Sequence, residues 1–291
     1  MSTPTVSVAI AGAGRMGTAL GLLLRERGVP LVAIAGRDPG RTAAAAKFIG
    51  GMVQPVTHSQ LPGLASRILI TVPDDALQPI AATLAEAGMR SGCVIHTSGA
   101  SGPEALAALE SQGVSVAALH PLQTVNTPQQ GLSALPGSSF GISGTGPARQ
   151  WALELVKLLE GKALSIAPGK RPLYHAAAVM ASNYIVAMID SAVILMGEAG
   201  IDSANALCAL GPLIRASTEN ALEAGPTAAL TGPIERGDSG TVLAHLHALA
   251  DAPEGVRELY RRAGLQAAEI ASRKGEHRGE IEFLLREGKG G

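Results

Sequence analysis

The chain has 291 residues, a formal net charge of −1 and 46% hydrophobic residues. That length suits one or two domains with a sizeable core, and the absence of a basic surplus argues against a nucleic-acid binder. One Trp, three Tyr and three Phe leave packing to aliphatic side chains and Ala, which disfavours base-stacking platforms and aromatic cages.

The elements follow in chain order. Strands are expected at 5–11, 30–35, 67–72, 92–96, 114–119, 138–142 and 162–166, with helices at 15–27, 39–49, 75–87, 102–111 and 147–160 between them. Such alternation predicts an α/β domain, an N-terminal doubly wound, mostly parallel sheet. VSVAIAG, ILITVPD and CVIHTSG are apolar nearly throughout, as strands covered on both faces are. Beyond residue 166 only helical patterns follow, at 173–199, 203–223, 240–250, 254–274 and 278–287. The reading is therefore two domains, 1–166 α/β and 167–291 all-α, the second serving substrate binding and dimerisation.

Cys93 and Cys208 lie far apart in apolar stretches and are expected as small core residues. His245 and His247, two apart, point to different faces of a helix, and no metal site is expected. The N-terminus opens on a strand without the pattern of a cleaved leader. The most apolar long stretch, 176–196, is interrupted by Ser182, Asn183, Asp190 and Ser191, which suits a buried helix better than a membrane span. The expected location is the cytoplasm, with neither membrane nor nucleic acid as partner.

The strongest motif is Gly12-Ala13-Gly14-Arg15-Met16-Gly17, a GxGxxG that follows an apolar strand and opens a helix. In that context Gly12 permits the tight turn, Gly14 lets the backbone approach a pyrophosphate and Gly17 allows close helix–strand packing. The helix N-terminus, with Arg15 and Met16, offers N–H groups to the phosphates. The second strand ends in Gly36-Arg37-Asp38, where an NAD enzyme usually places an acidic residue for the ribose 2′-hydroxyl. Arg37, with Arg41 one turn on, suits a 2′-phosphate, so NADP is preferred over NAD. The bland alternative makes Arg37 a solvated charge and Asp38 a helix cap.

Two further strand ends border the same crevice, Thr71-Val72-Pro73-Asp74 and His96-Thr97-Ser98-Gly99. Val72 and Pro73 are candidates for cofactor contact. Asp74 and Asp75 read equally as helix caps, and His96 as a satisfied strand-end histidine. Ser98 lies on a Gly-flanked turn suited to an anion, and His120, ending the run 114–119, is a candidate for the cleft wall.

The N-terminal motif, VPDD, HTSG, LHPLQTV (119–125), YHAAAVMASNYIV (174–186) and ALTGPIERGD (229–238) together resemble a family that joins a Rossmann-like domain to a C-terminal domain of unknown function. More distantly the layout is similar to ketopantoate reductase, pyrroline-5-carboxylate reductase and the 6-phosphogluconate dehydrogenase type. That resemblance implies an NADP-using reductase with a helical second domain and a homodimer, and some members of the closer family serve as an alternative ketopantoate reductase. Such relatives often carry Lys three residues before the Tyr-His pair; here Arg171 stands there, beside Lys170.

On a continuous helix 173–199, His175, Ser182, Asn183 and Asp190 fall within about a 100° sector. This stripe reads either as an inter-helix network or as a wall of the cofactor cleft. Lys170 and Arg171 just before the helix are candidate anion ligands, as are Arg236 and Asp238 in the turn-rich stretch 229–238, where Asp238 also suits a helix cap. The expectation is an NADPH-dependent reductase of a small α-keto acid, 2-dehydropantoate (ketopantoate) foremost. Asn183, His175, Ser98 and His120 are its catalytic candidates, and Arg236, Arg171, Lys170 and Asp238 its substrate ligands. An imine reductase of the pyrroline-5-carboxylate type and a non-catalytic NADP-binding regulator are the rival readings.

Overall fold

The computed structural model describes residues 6–275 and 278–287. It divides into two compact units, Met1–Ser182 and Asn183–Gly291.

The first unit is built on one sheet of eight strands: β1 (Val8–Ala11), β2 (Leu31–Ala35), β3 (Gln54–Val56), β4 (Arg67–Ile70), β5 (Cys93–His96), β6 (Ser115–Pro121), β7 (Ser139–Gly144) and β8 (Lys162–Ser165). Their spatial order is β3-β2-β1-β4-β5-β6-β7-β8. Every pairing is parallel except β6 with β7, where His120 lies opposite Gly141. The order reverses between β1 and β4, so the carboxyl ends of these two strands flank the crevice where open α/β sheets bind ligands. The helices are α1 (Arg15–Glu26), α2 (Pro39–Ile49), α3 (Leu77–Glu86), α4 (Ala107–Glu110), α5 (Pro128–Ala134), α6 (Gly146–Leu158) and α7 (Arg171–Ala181).

Strand side chains alternate between two cores, one on each face of the sheet. Val8, Ile10 and Ile34 join Leu20, Leu23 and Leu24 of α1 and Trp151 and Leu155 of α6 on one face. Ala9, Ala11, Ala33 and Ala35 face the other way, toward Leu77, Ile80, Ala81 and Leu84 of α3. The four alanines of β1 and β2 thus share that second face. Gly28, with φ 80°, ends α1 in the left-handed region, where its N–H bonds Arg25 O. A residue with a side chain would be strained there.

The second unit contains α8 (Asn183–Glu198), α9 (Ser203–Ala224), the short α10 (Pro226–Ala229) and α11 (Pro233–Arg236), α12 (Ser239–Ala248), α13 (Glu254–Ser272) and α14 (Gly279–Glu287). Its core is small: Val242 and Leu246 of α12 meet Ile281 and Leu285 of α14, with Tyr260 and Leu265 of α13 against them.

Several expectations are corrected. The short strand β3 and helix α5 carry too little periodicity to be read from sequence. The expected helix 102–111 is a 3₁₀ turn, Pro103–Leu106, followed by α4. The expected helix 173–199 is two helices. At Ser182 the backbone leaves the helix, with φ −131° and ψ −71°, and the Ser182 hydroxyl donates to Ala178 O at 2.8 Å, a back-bond that bends helices. The continuous polar stripe expected on one helix is therefore split between α7 and the helix that follows.

Burial is corrected as well. No residue of α8 is buried, although 171–198 is long and apolar enough to cross a membrane. Cys208 is exposed, while Cys93 is buried as expected, and both are free thiols. The units part at Ser182–Asn183, whereas the expected boundary followed residue 166. The guanidinium of α7's first residue, Arg171, is buried against β7 and the Ser98 turn, and this ties α7 to the first unit.

Candidate functional site

The glycine turn after β1 is held from below by Thr71, whose hydroxyl donates to Gly12 O at 2.9 Å. Gly12 has φ 133°, and a Cβ on Gly17 would lie 2.0 Å from Gly12 O and 2.3 Å from Thr71 Oγ1. Both glycines are therefore fixed by packing. Gly14 is different: a Cβ there would meet no protein atom within 4 Å. It is the N-cap of α1, with no side-chain cap and no acidic residue in the first turn. The uncapped N–H groups and the positive end of the helix dipole together form an anion site.

This turn opens into a cavity of about 590 Å³ lined at one end by Arg37, Arg41 and His58 and at the other by Thr97, His120 and Pro121, with Arg15, Met16, Val72 and Pro73 between. A phosphate-sized anion at the α1 terminus would thus sit between a basic end and a histidine end. Gly36 is tightly packed, since a Cβ would meet Thr42 Oγ1 at 2.5 Å. An acidic side chain at this position, of the kind that holds a ribose 2′-hydroxyl, has no room. Arg37 is exposed on the adjacent turn. Asp38 caps α2, accepting from Arg41 N at 2.6 Å, as its alternative reading held. His58, which no sequence signal marked, is part of this basic end. Its Nε2 is buried without a hydrogen-bond partner among the described residues, and burial and the neighbouring Arg37 charge lower its pKa. The residues present fit a phosphorylated dinucleotide.

The histidine end is assembled from three segments. His96 is fully buried, its Nε2 on Gly102 O at 2.9 Å and its Nδ1 accepting from Ser98 N at 3.2 Å; burial holds its pKa down to about 4. This is the satisfied strand-end histidine. Ser98 is buried, and its hydroxyl accepts from Ser101 N at 3.0 Å, closing the turn. Arg171, 3% exposed, donates to Ser98 O at 2.6 Å and to Ser143 Oγ at 3.0 Å. It acts here as a clamp between turn and sheet. Lys170, just before α7, is exposed.

His120 and α7 meet in front of this clamp. The Tyr174 hydroxyl lies 3.0 Å from His120 Nδ1, and His175 stands edge-on to the His120 ring at a centroid distance of 5.8 Å. Two glycines make the room. A Cβ on Gly99 would lie 2.3 Å from His175 Nδ1 and 2.9 Å from His120 Nε2, and one on Gly141 would lie 2.6 Å from the Tyr174 oxygen. Burial, reinforced by the charges of Arg171 and His175, pushes the His120 pKa down to about 4, so the ring is neutral at physiological pH. Burial raises the Tyr174 pKa, against the pull of the Arg171 charge. Tyr174 was not among the expected site residues; its adjacency to His175 in sequence was the available signal.

Three further candidates lie in the second unit. Asn183 begins α8 and is exposed. Arg236 ends α11 and is exposed, while Asp238 caps α12, accepting from Thr241 N at 3.0 Å and from its hydroxyl at 2.7 Å. Asp238 is thus occupied as a cap. Among the described residues no group of three or more His, Cys, Asp or Glu side chains is arranged to hold a metal.

Residues 1–121 match the Rossmann-like domain and residues 138–267 match the domain of unknown function DUF2520. The chain is thus a two-part protein, a Rossmann-like domain joined to a DUF2520 domain. Among solved structures it is similar to a candidate NADP oxidoreductase from Bacteroides fragilis, with 21% identity over 91% of this chain and 98% of that one at a TM-score of 0.74. It is also similar to a protein from Thermotoga maritima, with 22% identity, coverage of 92% and 100%, and a TM-score of 0.71. Pyrroline carboxylate reductase from Plasmodium falciparum, solved with NADP bound, shares 14% identity over 96% of this chain and all of that one, at a TM-score of 0.59. No curated protein matches the chain.

Proposed function

We propose that the protein is an NADPH-dependent oxidoreductase that reduces a small carbonyl or imine compound. The observation that carries the reading is the cavity itself: an uncapped helix N-terminus behind Gly14, a basic end at Arg37 and Arg41, and a neutral histidine at the opposite end. The NADP-linked oxidoreductases among proteins of similar fold support it. The bound cofactor would supply a hydride. The protein's own part is to hold the phosphates at the N-terminus of α1, to place the 2′-phosphate beside Arg37, and to present a hydrogen-bond donor where charge develops on the substrate.

The finer substrate proposal is an α-keto acid, with ketopantoate the first compound to test. Lys170, exposed just before α7, is the proposed ligand of its carboxylate. A C=N substrate is the second reading, favoured by the resemblance in fold to the pyrroline carboxylate reductase and to an imine reductase from Streptomyces aurantiacus. We also propose a homodimer. Tyr184, Val186, Leu207, Leu213 and Leu222 of α8 and α9 are more than half exposed, and a second copy would cover this apolar surface. Light scattering that returned a monomer at micromolar concentration would contradict it. The cofactor reading is tested by fluorescence titration with NADPH and NADH: tighter binding of NADPH is expected, and equal affinity would remove the role given to Arg37.

A further inference from the structure

His120 lines the cavity and spends only one ring nitrogen on the protein. Nδ1 faces the Tyr174 hydroxyl, and Nε2 makes no hydrogen bond among the described residues, which leaves it to a ligand. The Arg171 guanidinium carbon lies 5.9 Å from the centre of the Tyr174 ring. A hydroxyl that donates across this 3.0 Å contact points its proton at Nδ1. Nδ1 is then an acceptor, and in a neutral ring the proton must be on Nε2. We propose that His120 donates the Nε2 proton to the reduced substrate atom and is resupplied at Nδ1 by Tyr174, so that tyrosine and histidine form a two-step proton relay.

When bound, the reduced cofactor would supply a hydride to the substrate carbon, and the π electrons of C=O or C=N would pass to the heteroatom. That atom takes the proton from Nε2 as Nδ1 takes the hydroxyl proton of Tyr174. The products are the alcohol or amine, the oxidised nicotinamide, a neutral imidazole and a phenolate. The phenolate sits beside the Arg171 charge, and the pair resets as Nε2 takes a proton from solvent and Nδ1 returns its proton to the phenolate. A relay of this kind never requires an imidazolium, in keeping with the low pKa of His120. The ionisable neighbours of the pair are Arg171, His175 and Asp74, and the first two both oppose a second proton on His120. The proposal rests on the reductase reading and adds to it the source of the proton.

The test uses the whole chain. In cofactor-free protein, ¹⁵N NMR of labelled histidine should find His120 with Nε2 protonated and Nδ1 bare from pH 6 to 9. Tyr174→Phe, which keeps the ring but removes the hydroxyl, should turn that signal into a mixture of tautomers. Its kcat should fall about 10²-fold or more, with NADPH affinity unchanged. A protonated Nδ1 in the wild type, or a Tyr174→Phe variant with wild-type kcat, overturns the relay while leaving the reductase reading intact. Absence of turnover by the wild type on every carbonyl and imine tried overturns both. The wild-type NMR result decides the tautomer even if the variant does not fold.

Discussion

His120 Nδ1 and the Tyr174 hydroxyl are 3.0 Å apart although 54 residues separate them in sequence. One residue sits near the end of β6 and the other in the first turn of α7. Their meeting depends on two missing side chains. Gly141, opposite His120 on β7, leaves space for the phenol, and Gly99 leaves space for the two imidazoles. The buried Arg171 clamp fixes α7 against the same turn.

Gly99→Ala tests that dependence. Its methyl would lie 2.3 Å from His175 Nδ1, so an imidazole or the turn must move. A loss of about 1–3 kcal/mol in stability is expected from the overpacking, with a larger proportional loss of turnover than of NADPH affinity. Calorimetry and steady-state kinetics on the variant check this, and wild-type kinetics would detach Gly99 from the site.

The three glycines of the motif should separate into two classes. Gly17→Ala forces a methyl against Gly12 O and Thr71 Oγ1 and is expected to lower the melting temperature by several degrees. Gly14→Val has open space in front of it and should leave the melting temperature within a degree or two. It should nonetheless weaken NADPH binding at least tenfold, because the side chain occupies the place of the phosphates. Thermal scans with and without NADPH distinguish the two outcomes.

Acid should destabilise the protein through the buried His96 and the half-buried His120. His96 and His120 have folded-state pKa values held down to about 4 from 6.5. Below the unfolded value the unfolded chain binds protons that the folded one does not, so stability falls as pH drops. The decline should run from about pH 6.5 to about pH 4, with no contribution from these two groups above pH 7. Urea denaturation midpoints across that range measure it. His96→Gln should flatten the slope, and a wild-type midpoint constant down to pH 4.5 would contradict the burial of these rings.

Replacing Lys170 should separate binding from chemistry. If it holds a substrate carboxylate equally in ground and transition states, Lys170→Ala raises KM about tenfold with kcat little changed. An unchanged KM would return Lys170 to the role of a solvated charge.

Much of the sheet and its crevice was legible in the sequence, because strands buried on both faces are written as short apolar runs between glycine turns. The GxGxxG turn was readable for the same reason: each of its glycines answers to a local contact or opening. The break at Ser182 was not legible, since Ser182 is apolar in neither reading and its back-bond to Ala178 O appears only in three dimensions. Arg171 and Ser98 carried the right chemistry for an anion site, yet they spend it on each other. Tyr174 stood in plain view beside His175, but its partner on β6 is brought to it only by the antiparallel turn of β7 against β6. The exposure of α8 was also hidden, because an apolar helix reads the same whether its cover comes from its own chain or from another.

The most direct test of the account is to mix the wild-type protein with NADPH and a panel of small α-keto acids and cyclic imines, ketopantoate and pyrroline-5-carboxylate among them, and to follow oxidation of the cofactor. The account predicts saturable, substrate-dependent NADPH oxidation with at least one carbonyl or imine, and much slower turnover with NADH. Tight NADPH binding with no oxidation by any member of the panel would contradict it and leave the cavity as a binding site without a reaction.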